Sequence, residues 1–313
     1  MTVKAWVMLL FLIPNILFGK NYIDYYKGIN NGKLSAADQN IQESIQSYYS
    51  TFEKFDFVFA RDCYNAIELA AFVKDTVNLA YFIRRGIRQG LKYDQILKIE
   101  NVAQFSESTF LKIIEKEKPV LENSYKKKVN WKYRKIIIKM FKEDQDMRKR
   151  YYDAPFFKRR KIGLEWERLN ECQIEEIIKM TQLYGFPGEK LIGIDTQEMH
   201  PKIYTSNCSA GMPIVLFIHH YSQPNKSYDS LLFEQVKLGN LYNEHFATIC
   251  DFEAEFGKDE FENYGYFAFK QKLKRVNEEE INNRRKEIAL LSINEFEKLS
   301  VAKSITKFWN RLY

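Results

Sequence analysis

A chain of 313 residues with 45% hydrophobic content is long enough for two domains and holds ample material for buried cores. With 28% charged residues but only 13 Gly and 7 Pro, the composition argues against long disordered stretches. The net charge of +7 is concentrated in one stretch, which limits the partners that stretch can face.

At the start, Lys4 precedes the uncharged and mostly apolar run 5–18, which ends at Gly19-Lys20. This is the order of a Sec-type signal peptide: a basic residue, a short apolar core and a small residue at the cut. The run is short for a bilayer span and is interrupted at Pro14-Asn15, while Leu17 is a poor residue three before the cut. A buried N-terminal helix or an uncleaved anchor is the alternative. No cysteine lies near the cut, which disfavours a lipoprotein anchor. The expected product is a bacterial protein of the periplasm or exterior, with no transmembrane span in the mature chain. Export would place Cys63, Cys172, Cys208 and Cys250 where disulfides persist. Three full pairings, or buried free thiols, remain open.

The expected organisation is a signal peptide over 1–19, a helical domain over 20–125 and an α+β domain over 126–313. From Ser35 to Lys118 the pattern is helical. Ser35 to Asp38 reads as a capping-type start, and Tyr48, Tyr49, Phe52 and Phe55 recur at helical spacing. Asp62 to Val73 and Thr76 to Gln89 form a helical pair joined at Lys74-Asp75 and closed by Gly90. Ala66, Ala70, Ala71 and Ala80 suit close packing, and the run from Tyr64 to Ala80 resembles a tetratricopeptide hairpin. That resemblance implies protein or peptide interaction. The 34-residue repeat does not recur, and a generic helical bundle fits equally.

Residues 126–161 carry fifteen Lys and Arg against four acidic residues, interleaved with aromatics such as Trp131, Tyr151, Phe156 and Phe157. In an exported protein this favours an anionic lipid or envelope surface and disfavours nucleic acid; a solvated helix face is the plainer reading. A helix is predicted over Lys126 to Tyr152. At about 100° per residue, Tyr133, Ile137, Met140, Phe141, Met147 and Tyr151 share one face. Asp144 and Arg148 lie inside that apolar stripe, four residues apart, where the two side chains can pair. A second amphipathic helix is predicted from about Glu165 to Tyr184, with Trp166, Leu169, Ile174, Ile177, Met180 and Tyr184 inward and a stop at 185–188. Leu191 to Ile194, Ile214 to Ile218 and Tyr264 to Phe269 read as short strands, with a helix over Phe233 to Phe256 between. Asn277 to Glu280 and Ser292 to Glu295 fit capping boxes for two closing helices. The fold class expected is mainly α, with a helical hairpin or bundle followed by an α+β domain bearing a small sheet.

Six short stretches stand in order along the second half: 144–148, Tyr184 to Pro187, Val215 to His220, Ala247 to Asp251, Tyr264-Gly265 and Ile281 to Arg285. In order and spacing, roughly residues 140–299 resemble a family of exported bacterial proteins, domain of unknown function 6624. The resemblance implies positions and no activity. Where that family usually shows Asp-Arg, this chain has Asp251-Phe252; Tyr266-Phe267 stand in place of its usual Thr-Gln.

The candidate catalytic residues are His220, Asp251 and Asp144, with Arg148 and Arg284 as candidate binding residues. An imidazole oriented by a carboxylate is a general base, and arginines hold anionic groups. Met by one cleft, the five would make a small-substrate enzyme of hydrolase type. Scattered, they would leave a binding or interaction protein of the cell envelope, whose partner is a protein, a peptide or an envelope component; this reading asks less of the sequence. No metal or cofactor is expected. His219-His220, His245, Cys208 and Cys250 lack zinc-like spacing, and Walker, Gly-x-Gly-x-x-Gly and Gly-x-Ser-x-Gly motifs are missing.

Overall fold

The computed structural model describes residues 20–194, 210–223, 225–257, 263–267 and 277–301. The leader-like residues 1–19, Cys208 and residues 268–269 of the expected third strand lie outside them.

Among the described residues the chain is mainly helical and holds no strand. In chain order the helices are α1 (Tyr22–Ala37), α2 (Ile41–Lys54), α3 (Ala60–Phe72), α4 (Thr76–Arg88), α5 (Tyr93–Ile96), α6 (Glu100–Ala103), α7 (Thr109–Lys128) and α8 (Trp131–Asp153). They continue as α9 (Phe156–Tyr184), α10 (Glu189–Ile192), α11 (Met212–His220), α12 (Asp229–Lys237), α13 (Asn243–Phe256), α14 (Glu278–Glu287) and α15 (Ile293–Val301). No described helix is long and apolar enough to cross a membrane.

The expected small sheet is therefore corrected. Leu191 to Ile194 holds the end of α10, a single turn closed by Gly193 at φ +67°. Ile214 to Ile218 lies wholly within α11, which Gly211 and a first-turn proline, Pro213, start; that position costs a helix nothing. A short apolar run alone does not separate strand from buried helix, and here the proline decides. Tyr264 to Phe267 forms bends rather than a strand. The carboxylate of Asp251 accepts from the backbone N–H groups of Tyr264 (2.5 Å), Tyr266 (2.6 Å) and Phe267 (2.9 Å). Arg285 donates to the carbonyls of Tyr264 (2.8 Å) and Gly265 (2.9 Å). Backbone groups that a sheet would have paired are satisfied by two buried side chains instead.

Several helix boundaries also differ from expectation: the helix expected over Lys126 to Tyr152 breaks at 129–130 and begins at Trp131, and the one expected from about Glu165 begins at Phe156. Ser35 to Ala37 closes α1 rather than opening a helix, and Gln39 at φ +65° makes the turn into α2. The helix expected over Phe233 to Phe256 breaks at 238–242, where Gly239 turns at φ +70° against the ring of Tyr22. The two predicted caps of the closing helices do form. Asn277 accepts from the N–H of Glu280 at 2.8 Å, and Glu295 Oε2 accepts from the N–H and hydroxyl of Ser292 at 2.8 and 2.7 Å.

One continuous apolar cluster includes residues from both halves of the chain. Rings bridge them: Phe59, just before α3, meets Tyr242 at 4.6 Å between centroids, and Tyr26 of α1 meets the same ring at 5.3 Å. A buried charge network joins the same elements. Glu244 of α13 accepts from Arg61 (2.7 Å) and from the hydroxyl of Tyr266 (2.7 Å), with Lys33 at 3.4 Å. Asp62 accepts from the hydroxyls of Tyr25 (2.8 Å) and Tyr242 (3.2 Å), and the Arg61 guanidinium lies over the Tyr242 ring. Residue 125, the expected domain boundary, falls within α7.

Helices α8 and α9 form an antiparallel hairpin that projects from this core. Contacts between Arg150 and Glu165, Asp144 and Trp166, and Met140 and Gln173 fix the register, with the turn at Ala154-Pro155. Inner residues of α8, Tyr133, Ile137 and Asp144, sit on one stripe at helical spacing and are buried. Helix α11 packs against both arms of the hairpin.

Candidate functional site

Where α8, α9 and α11 meet, they enclose a cleft of about 640 Å³. Aromatic side chains make much of its wall: Tyr151, Trp166, Phe252, Phe256 and Phe267. Among its polar groups are Gln145, Arg148, Asn170 and His219. A concave, partly aromatic site with a few convergent polar groups is the usual form of a small-ligand site.

Behind its wall, bonded to the lining residues Trp166, Gln145 and His219, lies Asp144, fully buried on the inner stripe of α8. A buried carboxylate is costly unless its oxygens are satisfied, and here three neighbours do so. The indole N–H of Trp166 on α9 donates to Oδ1 at 2.8 Å, and the amide of Gln145 donates to Oδ2 at 2.9 Å. His219 on α11 presents Nδ1 to both oxygens, at 2.9 and 2.8 Å. A carboxylate only accepts, so Nδ1 carries the hydrogen, and in the neutral ring the lone pair resides on Nε2. The ring stands edge-on to Trp166 at 5.3 Å, its side chain is 18% exposed, and it lines the cleft. Chemically this is an imidazole held in one tautomer and one orientation by a buried acid, the arrangement that makes a general base.

The five residues singled out in the sequence do not share this cleft. Arg148 lines it, and Asp144 lies behind its wall, bonded to the lining residue His219. The expected Asp144–Arg148 pair is corrected: Arg148 is exposed and its guanidinium lies 5.6 Å over the ring of Tyr152, while Asp144 pairs with His219. The stripe continues to position 148, but by then α8 has left the core. His220 is buried in α11 beside the rings of Tyr221 (4.9 Å) and Tyr228 (6.2 Å), and burial holds its pKa below the ordinary value. Asp251 secures the 264–267 bends; burial, opposed by its three backbone bonds and by Arg285, raises its pKa to about 6. Arg284 bonds the carbonyl of Asn263 (3.2 Å) and Glu280 (2.5 Å) on its own helix.

His219, and not its neighbour His220, is the histidine that lines the cleft. In a helix, consecutive residues are turned by about 100°, so one histidine of the pair faces the cleft and the other the core. Pro213 was the available signal that the run is helical. Elsewhere, Cys63, Cys172 and Cys250 are free thiols, and among the described residues no three His, Cys, Asp or Glu side chains converge as a metal site would require.

No family model, no curated protein and no solved structure matches the chain.

Proposed function

We propose that the α8–α9–α11 cleft is the active site of a small-substrate hydrolase in which His219 is the general base, Asp144 orients it and Arg148 holds an anionic group of the substrate. The observation that carries this reading is the seating of His219 Nδ1 on both oxygens of the buried Asp144, which leaves Nε2 as the ring's proton acceptor beside the cleft. In the reaction, Nε2 takes a proton from water as the water oxygen bonds to the substrate's acyl carbon. The bond to the leaving group then breaks, and the imidazolium returns the proton to that group. Oriented general bases of this kind contribute roughly a hundred- to ten-thousandfold. In an exported protein, as residues 1–19 predict, the substrate would be met outside the cytoplasm.

A binding role for the same cleft is favoured by its aromatic wall, which suits a ring or chain and performs no chemistry. The test is turnover of p-nitrophenyl succinate, p-nitrophenyl acetate and p-nitrophenyl phosphate by the full chain. Hydrolysis is expected for at least one ester, with the anionic succinate preferred. His219→Gln should lose about a hundredfold or more in kcat, and Arg148→Gln should raise KM for the succinate more than for the acetate. Turnover that survives His219→Gln, or none by the unaltered protein, would leave only the binding role.

A further inference from the structure

We propose that the turn of the α8–α9 hairpin is a membrane-docking tip, which seats Phe156 and Phe157 in the interface of an anionic lipid bilayer. This inference goes beyond the cleft's chemistry and does not depend on it.

The two phenylalanines open α9 directly after Pro155 and are 88% and 78% exposed. Phe156 is the most exposed large apolar side chain among the described residues, and the next in sequence is nearly as bare. Tyr152, at the end of α8, is 58% exposed and adds a third ring. Adjacent aromatic side chains held this far into water on a rigid turn are costly unless something covers them. The turn is rigid by construction, because Arg159 donates to the carbonyls of Ala154 (3.0 Å) and Tyr152 (3.2 Å) and closes the end of α8.

Charge identifies the occupant. Immediately beyond the rings, Lys158, Arg160 and Lys161 are exposed, and behind the rings so are Lys149 and Arg148. Asp153 is the one exposed acid within the turn, at 152–157. Aromatic rings at a tip, collared by cations, match the interface of an acidic bilayer: rings enter at headgroup depth while lysine and arginine meet phosphate. An acidic protein groove would offer the charge without a reason for two bare rings at a convex tip.

The test is co-sedimentation of the full chain with vesicles of mixed phosphatidylglycerol and phosphatidylcholine, and with vesicles of phosphatidylcholine alone. Binding is expected to the mixed vesicles, to fall steeply as salt is raised, and to be weak with phosphatidylcholine. Phe156→Ser with Phe157→Ser should weaken binding at least about tenfold, and Lys158→Glu with Lys161→Glu should do the same. Both pairs are exposed, so thermal unfolding should be unchanged and a folding defect is distinguishable from lost docking. Leu183→Ser, 73% exposed at the other end of α9 about 40 Å away, should bind as the unaltered protein does. Three results would overturn the proposal: no binding to the mixed vesicles, equal binding by the phenylalanine variant, or a concentration-dependent dimer that this variant abolishes.

Discussion

Asp144→Ala is expected to lower the unfolding free energy by about 3 kcal/mol, although the residue lies just behind the wall of an open cleft. The carboxylate is fully buried and accepts from three side chains, two of which, Trp166 and His219, come from other helices. Removing it leaves the indole N–H and the imidazole Nδ1–H facing a void in which neither finds an acceptor. The three helices then lose the one group that ties them together at this depth. Asp144→Asn keeps the volume and one acceptor oxygen but points N–H groups at a donor, so a smaller loss, about half, is expected. His219→Ala should cost less still, since that side chain is partly exposed and Asp144 keeps two of its donors. Urea unfolding of the three variants checks the order. An Asp144→Ala protein as stable as its parent would mean that the acid meets water and holds nothing.

Arg61→Ala is expected to cost more, about 4 kcal/mol, because it breaks a buried pair and leaves its partner behind. Burial by itself would push the carboxyl of Glu244 up. The charges of Arg61 and Lys33, with hydrogen bonds from Arg61 and Tyr266, overcome that and hold it at about 2. The sign of the pH dependence follows. A carboxyl depressed from its ordinary value near 4.5 stabilises the fold fully above that value, and the contribution is lost as pH falls towards 2. In Arg61→Ala the main counter-charge is gone and burial prevails, so Glu244 no longer adds that stability. The gap between parent and variant should be widest near neutral pH and narrow as the pH falls from about 5 to about 3. His245, which burial and the Arg61 charge hold down at about 3, weakens the parent in acid as well and does so from higher pH. Unfolding free energies of both proteins at neutral pH and near pH 3 make the comparison. A gap independent of pH would place Arg61 outside the electrostatics of Glu244.

The parts of this fold legible in the sequence are those set by local pattern. The stripe of α8, the inward face of α9 as far as Met180 and the caps at Asn277 and Ser292 follow from spacing and side-chain chemistry within a few residues; Tyr184, on the same face by spacing, is exposed because α9 ends there. Asp144 was legible as an acid on an apolar face. Its partner was not, because position 148 is near in sequence while His219 is 75 residues away on another helix. Misreading the α11 run as a strand then mattered twice. It suggested a sheet, and it drew attention to His220 at the end of a strand, where helical geometry turns His219 towards the cleft. Helix α1 went unread because its Asn and Gly residues dilute the pattern. Only the tertiary structure shows that Tyr25, Tyr26 and Ile29 are buried there. Asp251 and Arg284 carried chemistry in type alone. Asp251 and the neighbouring Arg285 are taken up by backbone groups that no sequence pattern announces.

The tautomer of His219 tests the central assignment most directly. In a long-range proton–nitrogen spectrum of the full chain, with pH raised until the ring is neutral, the signals lost in His219→Gln belong to that ring. They should show hydrogen on Nδ1 and a lone pair on Nε2, and Asp144→Asn should abolish that preference. A His219 ring protonated on Nε2, or one whose tautomer is indifferent to Asp144, would contradict the account.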